Sequence, residues 1–295
     1  MGLARAVWIS LRPRQWVKNL FVLAGVIFSQ NLFTPLLGLA LAAFVLFCAL
    51  SGGIYLLNDV ADYDKDRLHP TKRPRPVASG ALSRRVALWV GATILLVSLA
   101  LSFLLSPLFG WVALGYVVLL VAYSAGLKRV VIVDALTVSV GFVLRAVAGA
   151  VVVDVEISGW LLICTILLAL FLALGKRRHE LLTLEGVAAD HRPILAEYSA
   201  GLLDQMIAVV TASTVTAYAL YTMSAETVAR FHTRLLPLTL PFVLYGIFRY
   251  LYLLYRRQLG GNPSELFLSD RALLVNTLLW IVVVLLILYL PAQLG

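Results

Sequence analysis

Charge is what this sequence has least of. Asp, Glu, Lys and Arg make up 13% of the 295 residues, about half their usual share in a soluble domain. A soluble enzyme of this length could not hide a 61% hydrophobic composition inside one core. The same richness excludes disorder, which needs few apolar residues. Cysteine is nearly absent. Cys48 and Cys164 both lie in apolar runs, lack disulfide-framework or metal-ligand spacing, and read as small buried hydrophobes. Acidic residues are scarcer than basic ones, 15 against 24. A net +9 could suggest nucleic acid in a soluble protein. A membrane protein collects Lys and Arg in cytoplasmic loops anyway, so no nucleic-acid partner is expected. No cleavable leader is expected either. Arg5, Arg12 and Arg14 alternate with Leu3, Val7, Trp8 and Leu11, the pattern of an interfacial amphipathic helix over residues 1–15.

What the sequence has in abundance is long apolar runs. A spanning helix needs about 20 mostly apolar residues, and nine segments qualify: 16–33, 36–58, 84–105, 108–126, 131–153, 158–175, 201–223, 235–255 and 271–291. The first is the weakest, with Lys18 and Asn19 near its start. The third and fourth are separated by little more than Ser106-Pro107, a tight hairpin. The expected fold is all-α, a multi-pass bundle of about nine transmembrane helices forming a single integral-membrane catalytic domain over 1–295.

Twenty of the 24 basic residues fall on one side of this topology. They lie before the first span, in the loops after spans two, four, six and eight, and at the edges of those spans. Arg230 and Arg234 are alone on the other side, and Arg145 and Arg249 lie within spans. The basic side is the cytoplasmic one, which puts the N-terminus inside and the C-terminus outside. Asp59, Asp62, Asp64 and Asp66 crowd onto the same side. Orientation takes little account of acids, so that cluster asks for a functional reason.

If the second span continues as a helix, Asn58, Asp62 and Asp66 lie at i, i+4 and i+8 on one face, with Asp59 beside them. Oxygen-only donors so placed suit a hard cation, and Mg²⁺ typically takes one or two carboxylates plus substrate phosphates. An EF-hand reading of Asp62, Asp64 and Asp66 fails, because Arg67 and Arg73 stand where Gly and Glu are required. A merely solvated acidic loop is the bland alternative. His69, Lys72, Arg73 and Arg75 follow. Fixed cations after a metal-type cluster suit a polyanion, or are ordinary loop charge; His69 reads best as a local hydrogen-bonding residue.

Asn58-Asp59-x-x-Asp62-x-x-x-Asp66 at the end of the second span resembles the first Asp-rich motif of the UbiA-like intramembrane prenyltransferase superfamily. Further stretches are similar to a branch that transfers phosphoribosyl groups to decaprenyl phosphate. They are Arg12-Pro-Arg-Gln-Trp16-Val-Lys18-Asn19, Asp66-Arg-x-His69-Pro70-x-Lys72-x-x-Arg75-Pro76, Tyr123-Ser-x-x-Leu-Lys128, Asp134, Gly141-Phe-x-Leu-Arg145-Ala-x-Ala-Gly149 and Gly175-Lys-Arg-Arg178. The resemblance runs from about residue 12 to 200. It implies a UbiA-like bundle in a bacterial cytoplasmic membrane, with active-site loops at 59–83 and 176–200. The superfamily usually has a second Asp-rich motif in the latter loop. Here Glu180, Glu185 and Asp190 are scattered among basic residues, which favours a second phosphate-binding locus.

Lys18 either snorkels to the interface or contacts phosphate. Asp134 and Arg145 lie eleven residues apart on span five, about 16 Å in depth and nearly on one face. A charge at the depth of Arg145 marks a site or channel, or a structural hydrogen-bonding role. Gly141 and Gly149 flank it and would let a neighbour pack closely. Lys176 and Glu180 form an i, i+4 pair. The two polar loops follow spans two and six, a placement that suggests a weak parallel repeat.

The resemblance implies transfer of the 5-phosphoribosyl group of 5-phosphoribosyl 1-diphosphate to a polyprenyl phosphate, releasing diphosphate, for cell-envelope polysaccharide precursors. Both reactants are anions, so extra cations are needed for them to approach. Asn58, Asp62 and Asp66 are the expected Mg²⁺ ligands, with Mn²⁺ as a substitute. Asp59, Asp62, Asp66, Lys18 and Asp134 are the expected catalytic residues. Lys18, Asn58, Lys72, Arg75, Tyr123, Lys128, Arg145, Lys176, Arg177 and Tyr198 are assigned to substrate binding. Membrane lipid is the expected surrounding, and a homo-oligomer is compatible with the sequence. Two other readings stand beside this one. The first is prenyl transfer from a prenyl diphosphate to an aromatic acceptor. The second is a transporter, which would need polar residues continuing across the membrane, whereas the outer side is nearly blank.

Overall fold

The computed structural model describes residues 2–69, 71–183 and 193–290. It contains helices and no strand among the described residues. Among the described residues, eight helical segments are long and apolar enough to cross a membrane: Leu36–Ala61, Arg84–Leu105, Pro107–Ala125, Val133–Val152, Gly159–Thr183, Ala200–Met223, Leu236–Arg256 and Arg271–Tyr289. The chain is a multi-pass membrane protein. Its outward faces are apolar, with Leu96, Leu104 and Trp111 well exposed, as lipid requires.

In chain order the helices are α1 (Leu3–Ser10), a 3₁₀ segment (Pro13–Leu23), α2 (Ala24–Phe28), α3 (Leu36–Ala61), α4 (Tyr63–Leu68), α5 (Arg84–Leu105), α6 (Pro107–Ala125), α7 (Val133–Val152) and α8 (Gly159–Thr183). There follow α9 (Ala200–Met223), α10 (Ala225–Phe231), α11 (Leu240–Arg256), α12 (Pro263–Ser269) and α13 (Arg271–Tyr289). Short polar residues set several starts. Ser83 accepts from the Val86 N–H at 3.3 Å to begin α5, and Ser199 accepts from Leu202 at 3.1 Å to begin α9. Asp270 accepts from Leu273 at 2.9 Å to begin α13. Each satisfies a donor that the first turn leaves open. The α5–α6 hairpin turns on Ser106 alone, with Pro107 at the first helical position, where its missing N–H costs nothing.

The expected span 16–33 differs. The amphipathic helix α1 stops at Ser10, because Arg12 takes a left-handed conformation (φ 53°) before Pro13. The chain then runs as an eleven-residue 3₁₀ segment and the five-residue α2. Runs of 3₁₀ longer than about four residues are uncommon, so outside contacts must hold this one. Asn19 is fully buried; its Nδ2 donates to Ser51 Oγ (3.2 Å) and Cys48 Sγ (3.3 Å) of α3. Arg145 Nε donates to Asn19 Oδ1 at 2.8 Å. A Cβ on Gly149 would collide with the Val22 carbonyl, so that glycine admits the segment against α7. The close neighbour expected at Gly149 is thus the 3₁₀ backbone.

The described chain forms two compact units. One comprises residues 1–26, 33–128 and 144–156; the other comprises 27–32, 129–143 and 157–295. In the first, Phe47 packs between Phe109 and Tyr116, at ring-centroid distances of 5.8 and 5.1 Å. The second is built on Phe171, Leu174, Leu203, Ile207, Tyr250 and Leu254. Each unit carries one of the two polar helix ends, that of α3 or that of α8.

Candidate active site

The expected site residues fall into two groups, one in each unit. In the first, α3 ends at Ala61 and Asp62 turns the chain (φ −92°, ψ 11°) into α4. The single face expected for Asn58, Asp62 and Asp66 is therefore interrupted, yet the backbone keeps the four-residue step. The Asp62 N–H bonds Asn58 C=O, and the Asp66 N–H bonds Asp62 C=O, both at 2.8 Å. Asp59 and Asp66 are each 2% exposed, while Asp62 is half-buried.

Buried carboxylates are costly unless paired, and cations meet both. A single nitrogen of Arg75, Nη1, lies 2.6 Å from Asp66 Oδ2 and 3.1 Å from Asp59 Oδ1. Lys72 Nζ stands 3.7 Å from Asp66 Oδ1. Arg12 Nη2 pairs with Asp59 Oδ1, and its guanidinium lies 4.9 Å over the Tyr55 ring. The structure thus brings together Asp59, Asp66, Lys72 and Arg75, as expected of neighbours in one loop. It also adds Arg12, which was quoted in a motif but assigned no role. Its left-handed backbone is strain of the kind that persists where surroundings over-determine it.

Lys18 and Tyr123, on the 3₁₀ segment and late in α6, are half-buried, as is Lys128 in the turn Leu127–Arg129. Arg145 is buried deeper along α7. Besides Asn19 it bonds the Tyr116 hydroxyl at 2.6 Å, its guanidinium 4.7 Å over that ring. These partners are side chains, not the helix-end carbonyls that a structural role for this residue was expected to use. His69 Nδ1 accepts from the Thr71 N–H at 3.2 Å, a local bond as expected.

The second unit holds a denser network. Asp134, fully buried at the start of α7, meets Arg177 Nε at 2.5 Å and accepts from the Tyr198 hydroxyl at 2.9 Å. That hydroxyl accepts in turn from the Ile132 N–H at 2.7 Å. Burial pushes the Tyr198 phenol up to about 12, so it keeps its proton. Arg177 Nη1 also bonds Glu180 Oε2 at 2.8 Å, and Lys176 pairs with Glu180 at 3.5 Å. Asp134, Lys176, Arg177 and Tyr198 are therefore one linked set, assembled from α7, α8 and the start of α9. Arg178 points elsewhere, pairing with Asp204 at 2.5 Å, its guanidinium 4.0 Å over the Tyr255 ring. The expected acidic residues Glu185 and Asp190 lie outside the described residues.

The donors Asn58, Asp62 and Asp66 fit a hard divalent ion in atom type and in their one-turn spacing. Among the described residues no three His, Cys, Asp or Glu converge as a metal cage.

The match to known proteins rests on most of this framework. Residues 19–270 match the model of the UbiA prenyltransferase family. The chain belongs to that family. Within it, the chain is 34% identical to a decaprenyl-phosphate phosphoribosyltransferase of Corynebacterium glutamicum, covering 98% of this chain and 88% of that one. It is 32% identical to the enzyme of the same name from Mycolicibacterium smegmatis, covering 95% and 90%. Among solved structures, a UbiA homolog from Archaeoglobus fulgidus bound to GPP and Mg²⁺ superimposes with a TM-score of 0.72. It covers 96% of this chain and 99% of that one at 17% identity, a likeness that establishes the UbiA fold.

Proposed function

We propose that this UbiA-family chain transfers the 5-phosphoribosyl group of 5-phosphoribosyl 1-diphosphate to a polyprenyl phosphate of decaprenyl type, releasing diphosphate. The product would serve cell-envelope polysaccharide synthesis. Near-full-length similarity to phosphoribosyltransferases of that specificity carries this reading. The cations support it, since a donor and an acceptor that are both anionic need fixed positive charge to approach.

The Asp59–Asp66 end of α3 would bind the donor. Asn58, Asp62 and Asp66 would hold Mg²⁺, which neutralises charge on the diphosphate as it leaves ribose C1. Lys72 and Arg75 would grip the diphosphate, Arg75 through its fork and Lys72 as a point charge. Lys18, Lys128, Lys176 and Arg177 would orient phosphate oxygens, with Asp134 and Tyr198 holding the Arg177 guanidinium still. Tyr123 would contact the ribose. The acceptor phosphate is already ionised, so no strong general base is required. Arg145 would serve the site by positioning the segment that carries Lys18.

We read the site as cytoplasmic and the N-terminus as inside, from the side on which Lys and Arg collect. The segment from Pro13 to Phe28 is the ninth crossing. Arg12 meets Asp59 near the end of α3, whereas Leu36 begins that helix about 35 Å away at 1.5 Å per residue.

Asp62→Asn and Asp66→Asn should each abolish transfer of radiolabelled phosphoribose to polyprenyl phosphate while the protein remains monodisperse in detergent. Full activity in either variant would remove the metal assignment. Attachment of prenyl groups to an aromatic acid, with no phosphoribosyl transfer, would overturn the reaction.

A further inference from the structure

The two arginines on the buried carboxylates differ in how they are held. Arg12 is fixed: its backbone is left-handed beside Pro13, and its guanidinium lies over Tyr55 while it pairs with Asp59. Arg75 comes from turns that join α4 to α5 and reaches both Asp59 and Asp66 through one nitrogen, with no ring of the described residues beneath it and a side chain about as exposed as that of Arg12. Asp66 is at once its strongest partner and a ligand in the proposed metal set. Both Asp66 oxygens face cations, Arg75 on one and Lys72 on the other. A divalent ion and the Arg75 guanidinium therefore compete for the same carboxylate.

We propose that Arg75 is an exchangeable cation. In the metal-free protein it neutralises Asp59 and Asp66. When a divalent ion engages Asp66, Arg75 releases it and turns its fork to the diphosphate of the donor. Arg12 stays on Asp59 throughout, so that one buried carboxylate never loses its counter-charge. The exchange orders binding: metal with diphosphate enters together, because either alone leaves one charge unmatched. This inference rests on the metal assignment above and adds a role for the arginine that now occupies its ligand.

The test is metal binding, read without turnover. Detergent-purified protein is titrated with Mn²⁺, free ion being followed by electron paramagnetic resonance, with inorganic pyrophosphate as the diphosphate probe. Removing the competing cation in Arg75→Gln should tighten Mn²⁺ binding without pyrophosphate by about fivefold or more. The same variant should bind Mn²⁺-pyrophosphate about tenfold more weakly, having lost its fork. Lys72→Gln is a half-exposed change that disturbs the fold little. It should tighten Mn²⁺ binding in the same direction by a smaller factor, since its contact is longer, and it carries the test if Arg75→Gln does not fold. Unchanged or weaker Mn²⁺ binding in the variants, beside measurable binding in the unaltered protein, overturns the exchange alone. No Mn²⁺ binding by the unaltered protein even with pyrophosphate present overturns the metal site and the exchange together.

Discussion

At the scale of the residue, the buried carboxylates Asp59, Asp66 and Asp134 each meet a cation. Asp134 is fully buried and sits between Arg177 and the Tyr198 hydroxyl. Truncating Arg177 would leave that carboxylate without a cation 2.5 Å away, a change that typically costs about 3–5 kcal/mol. Tyr198 is the gentler probe. Its hydroxyl donates to Asp134 and accepts from Ile132, so Tyr198→Phe removes two hydrogen bonds and should destabilise by about 1–2 kcal/mol. The pH dependence has a definite sign. Burial raises the folded phenol to about 12 from about 10 in the unfolded chain. The protonated form is thus favoured by folding, and the advantage is complete below the unfolded value. It declines as pH climbs from about 10 through 12. Thermal melts in detergent should show a constant deficit for Tyr198→Phe between pH 6 and 9. A deficit that changes within that window would mean the hydroxyl titrates there and the network is drawn wrongly. The sequence marked Asp134 and Arg177 as candidates through motifs that resemble those of the family, but not as partners. They are 43 residues apart, and only the fold brings them together.

At the scale of the element, the informative piece is the 3₁₀ segment. Its contacts with α3 run antiparallel. Arg12 meets Asp59, and seven residues later Asn19 meets Ser51 and Cys48. Seven residues of 3₁₀ helix rise about 14 Å, and eight to eleven of α-helix rise about 12–16 Å, so the two stay in step. Gly149 is what lets the segment lie against α7, since a Cβ there would strike the Val22 carbonyl. Gly149→Ala should therefore cost about 1–3 kcal/mol through overpacking and lower transfer by disturbing Lys18. Gly115→Ala in α6, where an added Cβ meets nothing within 4 Å, is the control and should leave the melting temperature unchanged or raise it. Equal effects from the two alanines would dismiss the close approach. Hydrophobic length made residues 16–33 legible as membrane-buried. It could not show 3₁₀ geometry, because Cys48, Ser51, Arg145 and Gly149, all distant in sequence and on other elements, hold it. The α5–α6 hairpin was legible for the opposite reason: Ser106 and Pro107 supply cap and first-turn residue locally. The acidic motif was legible as a cluster. Which carboxylates are buried was not, since the turn at Asp62 and the reach of Arg12 bring in Asp59 and leave Asp62 more open.

At the scale of the whole molecule, the side on which each terminus lies is decided by whether the segment from Pro13 to Phe28 crosses. Eight crossings would put both termini on one side, and nine would put them on opposite sides. Length permits the crossing: eleven 3₁₀ residues and five α-helical ones extend about 30 Å, the thickness of a hydrocarbon core. The proposed crossing accords with contacts in the first unit, where Arg12 is tied to the Asp59 end of α3 and Leu36 starts the opposite end. Basic residues collect in the loops after Asp59, so the proposed topology makes that side cytoplasmic. On it the N-terminus would share the cytoplasm with Asp59 and Asp66, and nine crossings would put the C-terminus outside. Reporter fusions check this directly in a bacterial host. A C-terminal alkaline phosphatase, active only outside the cytoplasm, should be active, and a C-terminal green fluorescent protein should be dark. Glu226→Cys, exposed in α10 and outside on the proposed topology, should react with an impermeant maleimide in intact cells, whereas Ser79→Cys beside Arg75 should react only after permeabilisation. A fluorescent C-terminus together with a shielded Ser79→Cys would leave eight crossings. Arg12 could not then reach Asp59, so the pair that anchors the site would have to be abandoned along with the ninth crossing.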